Sequence, residues 1–152
     1  GNRELRVVLM AEAVVDSNVL FAYRNSRDQY HDRSVPIVER IDGGDLPRGV
    51  VTNYTLPEVL NPIAKFAGHD RAVETMDFLT ESRGFRVRQV AKEDFERGRA
   101  LFRREGGLEI TDAILVAYMR RTETAVLYSF DDDFDRFDGI TRLTTADDPF
   151  DR

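Results

Sequence analysis

The hexapeptide Ala13-Val14-Val15-Asp16-Ser17-Asn18 marks the place where an apolar strand passes into a helix. Its two adjacent valines are β-branched and favour a buried strand, whereas Val19–Ala22 continue in a helical pattern. In open α/β sheets, ligands bind beyond the carboxyl ends of the strands. The stretch therefore predicts an α/β fold and makes Asp16 a candidate for chemistry at that edge.

Predicted strands and helices alternate along the rest of the chain. The strands are short apolar runs at residues 12–16, 49–53, 85–90, 125–129 and 141–144. The helices are longer and lie at residues 17–24, 28–41, 54–67, 70–82, 92–104 and 111–121. This alternation predicts a three-layer α/β/α domain with a central, mostly parallel sheet of four to five strands. The period-two pattern of residues 85–90 favours an edge of that sheet.

The composition restricts the function. The 152 residues suit one domain, and 41% of them are apolar, which is enough for a sizeable core. We expect no membrane span, because no uncharged apolar run reaches the roughly 18 residues that a span needs. The absence of cysteine excludes disulfides, thiol catalysis and cysteine-ligated zinc. A reducing, cytoplasmic location is therefore expected.

Three segments divide the chain. Residues 1–10 are interpreted as an N-terminal extension or a cloning remnant, since Met10 could be an original start. Residues 11–144 carry the alternating elements and form the predicted domain. Residues 145–152 are rich in aspartate and are expected to form a loose acidic tail.

The charge balance argues against binding nucleic acid by bulk charge alone. The chain has 28 acidic and 22 basic residues and a formal net charge of −6. Four arginines near predicted helix ends are candidates for steering a phosphate backbone, and a solvated helix end remains the favoured interpretation of each. They are Arg24, Arg27, Arg120 and Arg121.

Acidic residues follow the strands or open the helices beside them at four points. These are Asp16, Glu58, Asp112 and the run Asp131–Asp133. The carboxyl ends of parallel strands share one edge, and carboxylates brought together there repel unless a cation joins them. Oxygen ligands favour Mg²⁺ or Mn²⁺. Both histidines, His31 and His69, are interpreted as surface residues.

Each acid also has a local explanation. Asp16 can cap the helix that follows it, and Asp112 can gain from a helix dipole. Glu58 fits a capping box with Thr55 as N-cap, although Pro62 should kink that helix or delay its start. The aspartate run can be a solvated turn. Only the joint placement of the acids at one edge favours a metal site.

Four motifs in this order resemble those of PIN-domain nucleases, specifically the VapC-type toxins of toxin–antitoxin pairs. The motifs are Val14–Leu20, Pro57–Leu60, Thr111–Ala117 and Ser129–Phe134. Together they cover nearly the whole chain, from Ala11 to Leu143. The resemblance implies a parallel sheet flanked by helices and a carboxylate pocket for one or two Mg²⁺ or Mn²⁺ ions.

The resemblance also implies a function and its residues. A type II toxin of this kind would cleave RNA endonucleolytically, form a homodimer and be inhibited by a cognate antitoxin. The resemblance assigns the catalytic and metal-binding roles to four acids, with Asp133 as an additional metal ligand and two residues on the pocket wall. The four acids are Asp16, Glu58, Asp112 and Asp131, and the pocket-wall residues are Asn18 and Ser129.

Some features depart from the family pattern, and other functions remain open. The triple aspartate leaves the fourth acid undecided between Asp131 and Asp133. Glu109 stands where a small hydroxyl cap is expected, so Thr111 could cap the helix instead. A dehalogenase-type phosphatase is disfavoured because Asn18 stands where its second aspartate is needed, and a receiver domain is disfavoured because no lysine follows a late strand. An inactive PIN-like binding or dimerisation module and a housekeeping RNA-processing nuclease remain alternatives.

Overall fold

The computed structural model describes residues 11–150, in which one five-stranded sheet lies between two layers of helices. The strands are β1 (Glu12–Val15), β2 (Arg48–Thr52), β3 (Phe85–Arg88), β4 (Val126–Tyr128) and β5 (Thr141–Leu143). The helices are α1 (Ser17–Arg24), α2 (His31–Asp42), α3 (Thr55–Ala67), α4 (His69–Glu81), α5 (Lys92–Arg104) and α6 (Ile110–Thr122). A short 3₁₀ helix, Asp132–Arg136, precedes β5. The interpretation of residues 1–10 lies outside the described residues.

The sheet is parallel throughout and has the strand order β3-β2-β1-β4-β5. The predicted three-layer α/β/α fold and the edge position of β3 are therefore confirmed. In the centre, Val14 of β1 pairs with Val50 of β2 on one side and with Leu127 of β4 on the other. The chain order reverses between β1 and β4, and such a switch point opens a crevice at the carboxyl ends of the strands.

Alternate residues of the central strands enter two separate cores. Ala13 and Val15 of β1 pack with buried residues of α1, α2, α3 and α4 on one face. Val14, between them, packs on the other face with residues of α5 and α6. Residues Ala113–Met119 of α6 are all buried, which explains the run of seven residues without a charge in the middle of this helix.

The packing of α5 on α6 includes a buried ion pair. Asp94 is fully buried and accepts hydrogen bonds from Arg121 Nε at 2.7 Å and Nη2 at 3.0 Å. The Ala91 N–H also donates to Asp94, which closes the first turn of α5. Arg121 thus forms a structural ion pair, whereas the favoured interpretation from the sequence was a solvated helix end.

The start of α3 differs from the predicted capping box. Thr52 Oγ1, not Thr55, supplies the local hydrogen bond by accepting from the Thr55 N–H at 3.2 Å. Glu58 does not reach back to the cap, and its Oε2 accepts a hydrogen bond from Thr111 instead. The helix continues through Pro62, because Val59 and Ile63 on its inner face are fully buried and compensate for the lost backbone bond.

Two further expectations need correction. His31 is half-buried rather than on the surface, and its Nδ1 lies 2.7 Å from the Ala22 carbonyl oxygen. The acidic segment after residue 144 is held at its beginning, because Tyr128 donates to the Asp147 carbonyl oxygen and Arg40 to that of Ala146. The first part of this segment, as far as Asp147, is therefore not loose. The domain boundary at residue 144 stays a prediction.

None of the helices within residues 11–150 has both the length and the apolar character that crossing a bilayer requires.

Candidate active site

Asp16 lies at the switch point, one residue beyond β1. It is only 5% exposed, and donors from two separate segments of the chain orient its carboxylate. The Ser17 N–H donates to Oδ1 at 2.9 Å, and the Ser129 hydroxyl donates to Oδ2 at 2.7 Å. The local cap predicted for Asp16 is therefore present, but the contact with Ser129 comes from a strand more than a hundred residues away in sequence.

Asn18 and Ser129 link the ends of β1 and β4. The Asn18 amide donates to Asp16 Oδ2 and to Ser129 Oγ, both at 3.3 Å, and its carbonyl oxygen accepts from the Phe130 N–H at 3.1 Å. Ser129 Oγ also accepts from the Asp131 N–H at 3.1 Å. These bonds place Asp131 relative to Asp16.

Asp112 and Glu58 approach from two helices. Asp112 opens α6 and is only 9% exposed, yet no hydrogen-bond donor in residues 11–150 reaches its carboxylate. Its neighbour Thr111 does not cap α6 but donates to Glu58 Oε2 at 3.4 Å. The first turn of α3 therefore faces the start of α6.

Burial and mutual repulsion raise the pKa values of three of these acids. The pKa of Asp112 rises to about 8, first because burial penalises its charge and then because Asp16, Asp131, Glu109 and Glu58 are negative. Burial also raises the pKa of Glu58, with Asp16 adding to the effect. For Asp16, burial again raises the pKa, and the bond from Ser129 opposes it. The acids thus form one electrostatic group.

Glu109 is a fifth member of this group that the sequence analysis considered only as an irregular helix cap. Its charge contributes to the raised pKa values of Asp16, Glu58 and Asp112. It precedes α6 at the N-cap position, where its side chain makes no capping bond. The sequence signal that could have identified Glu109 is its spacing of three residues from Asp112, which is about one helical turn.

The geometry distinguishes the aspartates of the triple run. Asp131 acts on the pKa values of Asp16 and Asp112, and its Oδ1 accepts from the Asp133 N–H at 2.9 Å. Asp133 Oδ1 lies 3.6 Å from Arg136, and Asp132 is exposed. Within residues 11–150, only these three aspartates bring three carboxylate oxygens within 4.8 Å of one another. The acids around Asp112 lie farther apart, because no three of their oxygen atoms meet this distance within residues 11–150.

The donor set fits a divalent cation. In the described part of the chain, no arginine, lysine or histidine forms an ion pair with Asp16, Glu58 or Asp112. Buried carboxylates without a basic partner are costly, and a hard cation with oxygen ligands removes that cost.

The other arginines considered for substrate contact are placed differently. Arg24 Nη2 pairs with Glu74 at 3.2 Å, and the guanidinium of Arg120 lies 5.5 Å from the ring centre of Phe137. Arg27 is exposed. The exposure of Arg27 agrees with the favoured interpretation of a solvated helix end, whereas Arg24 and Arg120 contact the protein itself.

A cavity of about 330 Å³ adjoins the acids. It is lined by Ser17, Asn18, Phe21, Asp28, Gln29, Tyr30, Glu58 and Pro62. Asn18 and Glu58 belong to both the cavity wall and the acidic group, so the two are continuous.

This carboxylate site at the switch point of a parallel sheet is typical of one class of domain. The PIN domain family model matches residues 13–140, and the chain belongs to that family. The family resemblance inferred from the four motifs is confirmed.

Several solved structures share this fold. VapC20 of Mycobacterium tuberculosis, described as a sarcin–ricin-loop-cleaving toxin, is 25% identical with a TM-score of 0.69, over 82% of this chain and 93% of its own. VapBC2 of Rickettsia felis, bound to a DNA fragment from its promoter, is 13% identical with a TM-score of 0.65, over 87% and 97%.

A toxin–antitoxin complex from Klebsiella pneumoniae is 21% identical with a TM-score of 0.59, over 85% of this chain and 95% of its own. A search among curated protein sequences finds no match.

Proposed function

We propose that this PIN domain is a metal-dependent endoribonuclease that hydrolyses RNA phosphodiester bonds. One observation carries the proposal: Asp16, Glu58, Asp112 and Asp131 come from separate segments and repel one another at one crevice. Evolution rarely retains such a costly arrangement in a site that serves only stability, and perturbed pKa values in a cleft favour a functional site.

The residues of the chain take distinct roles in this proposal. Asp16, Glu58, Asp112 and Asp131 hold a Mg²⁺ or Mn²⁺ ion, with Asp133 as an additional ligand. When bound, the ion supplies Lewis-acid stabilisation of the charge that develops on the phosphate. Ser129 and Asn18 fix the Asp16 carboxylate in one orientation through the bonds described above. The network holds the ligand oxygens in place before the ion arrives, which reduces the reorganisation that binding requires.

We further propose that the protein is the toxin of a type II toxin–antitoxin pair. The similarity to VapC20, a toxin named for its cleavage of the sarcin–ricin loop, supports a ribonuclease toxin. A cognate antitoxin, a homodimeric state and a cytoplasmic location belong to the same proposal. A housekeeping nuclease of this fold would share the chemistry and differ in its target.

The test is RNA cleavage by the wild type and by Asp112→Asn, in Mg²⁺, in Mn²⁺ and in EDTA. We expect cleavage that requires the metal and falls at least about 100-fold in the variant, because the loss of a ligand removes several kcal/mol of charge stabilisation. The matched control is Asp77→Asn, which changes an exposed aspartate of α4. It should cleave like the wild type.

Calorimetry separates the nuclease from an inactive binding module. The wild type should bind Mn²⁺, and Asp16→Asn should bind it more weakly, since this change removes one charge and keeps the shape. An absence of binding and cleavage in the wild type would reject the nuclease in favour of the module.

A further inference from the structure

The cavity beside the acids has an aromatic wall. Tyr30 lies nearly parallel to Phe130, with the ring centres 4.4 Å apart and an interplanar angle of 12°. Phe130 covers one face of the tyrosine ring, and Tyr30 is also one of the residues that line the cavity. Phe21 lies on the same cavity and packs edge-on against Phe66 at 5.5 Å. The wall therefore offers a flat aromatic surface beside polar groups.

This aromatic wall is held firmly in position. The Tyr30 N–H donates to Asp28 Oδ1 at 2.8 Å, at the turn that leads into α2. Phe130 is fixed from the other side, because its N–H donates to Asn18 Oδ1 at 3.1 Å. Since Asn18 also contacts Asp16, the stacked pair and the acidic group share one framework.

The remaining lining residues limit what can enter. Among residues 11–150, no lysine or arginine lines the cavity, while Glu58 and Asp28 provide carboxylates and Gln29 provides an amide. A phosphate group would meet negative charge there. A planar ring with amino and carbonyl groups at its edge would meet an aromatic face and suitable hydrogen-bond partners.

We infer that this cavity binds one unpaired nucleobase of the RNA substrate, stacked on Tyr30, next to the phosphate at the acids. The inference rests on the proposed nuclease function and names the kind of RNA that the site accepts. A base in a continuous duplex is stacked on its neighbours and cannot enter a side cavity. Base stacking in this cavity compensates for the shortage of positive charge around it.

The test measures binding of a short single-stranded oligoribonucleotide in EDTA, and KM in Mg²⁺ where the wild type cleaves it. A series of the same oligonucleotide carries one abasic nucleotide, moved along the chain. Tyr30→Leu should raise KM and weaken binding in EDTA by about 5- to 150-fold, which corresponds to one lost base stack of 1–3 kcal/mol. Tyr30→Phe should behave like the wild type.

The decisive result is an energetic coupling between the Tyr30 side chain and one base of the oligonucleotide. One abasic position near the cleaved bond should weaken wild-type binding by a similar factor and have no further effect on Tyr30→Leu. Tyr54→Leu is the matched control, because Tyr54 also stacks on a phenylalanine, Phe95, at 6.4 Å but does not line the cavity. At each abasic position, Tyr54→Leu should lose as much binding affinity as the wild type does.

Three outcomes would overturn the inference: unchanged RNA binding by Tyr30→Leu, an abasic penalty that persists in this variant, or equal binding by the wild type of the oligonucleotide annealed to its complement. If the wild type cleaves RNA but Tyr30→Leu keeps its KM, the nuclease stands and the base cavity is rejected. If the wild type binds RNA with the coupled abasic profile but never cleaves it, the cavity stands and the nuclease is rejected. Phe21→Leu, on the same cavity, repeats the test should Tyr30→Leu fail to fold.

Discussion

At Ser129 a single hydroxyl group joins three parts of the candidate active site. It donates to Asp16 and accepts from the Asn18 amide and from the Asp131 backbone. Because Ser129 is fully buried, no water can replace the hydroxyl without rearrangement. One side chain thus sets the relative position of two acids.

We expect Ser129→Ala to reduce Mn²⁺ affinity and RNA cleavage by about 10- to 100-fold, the usual cost of removing a group that orients a metal ligand. The lost bond to Asp16 would also raise the pKa of that acid further, so the activity should shift to higher pH. Calorimetry and a pH–rate profile measure both effects.

Ser26→Ala, which changes an exposed serine outside the site, is the control. A Ser129→Ala protein with wild-type metal affinity and pH profile would show that the hydroxyl has no positioning role.

At the scale of elements, the contact of α5 with α6 holds the helix that opens with Asp112. Gly98 lies at this contact, and a Cβ there would come within 2.7 Å of Ile114 Cα. The two helix backbones can approach this closely because Gly98 has no side chain. The position of Asp112 therefore depends on a residue that carries no functional group.

Gly98→Ala is expected to destabilise the protein by about 1–3 kcal/mol despite the higher helix propensity of alanine, because the added methyl group meets the Ile114 backbone as well as its side chain. Thermal unfolding should show a Tm lowered by roughly 2–12 °C. Gly106→Ala, where no atom lies within 4 Å of the added Cβ, should change stability by less than about 0.5 kcal/mol. An equal or higher Tm for Gly98→Ala would refute the close packing.

At the scale of the whole molecule, the acidic site should make folding stability depend on pH. The pKa of Asp112 is about 8 in the folded protein, against an ordinary value of 3.8 for an aspartate. Between these values the folded state binds more protons than the unfolded state, so the free energy of unfolding falls as the pH rises. The raised pKa values of Asp16 and Glu58 act with the same sign.

We therefore expect the Tm of the metal-free protein to fall between pH 5 and pH 8, a window set by these pKa values. The expected fall is roughly 4–8 °C, or on the order of 2 kcal/mol for a chain of this size. Asp112→Asn should flatten the dependence, and Mg²⁺ or Mn²⁺ should raise the Tm more at pH 8 than at pH 5. A Tm that rises over this range, measured by calorimetry in EDTA, would contradict the assignment.

Much of the fold follows from local patterns. The alternation around Val14 and Val15, and the apolar run of α6, depend on periodicity and burial that neighbouring residues already express. The cap of α3 was predicted incorrectly, because the accepting hydroxyl belongs to Thr52, which binds the Thr55 N–H from three residues earlier in the chain. Glu109 was missed as a member of the acidic group, because its effect on Asp112 depends on charges from other segments.

By itself, the sequence determined the order of strands and helices, the family, and the acids that end strands or open helices. Local propensity, hydrophobic period and short motifs carry this information within a few neighbouring residues. Only the tertiary structure decided that Ser129 orients Asp16, that Arg121 forms an ion pair with Asp94, and that Tyr30 and Phe130 form a wall beside the acids. These are contacts between distant segments, and their energies exist only after the parallel sheet has brought its carboxyl ends together.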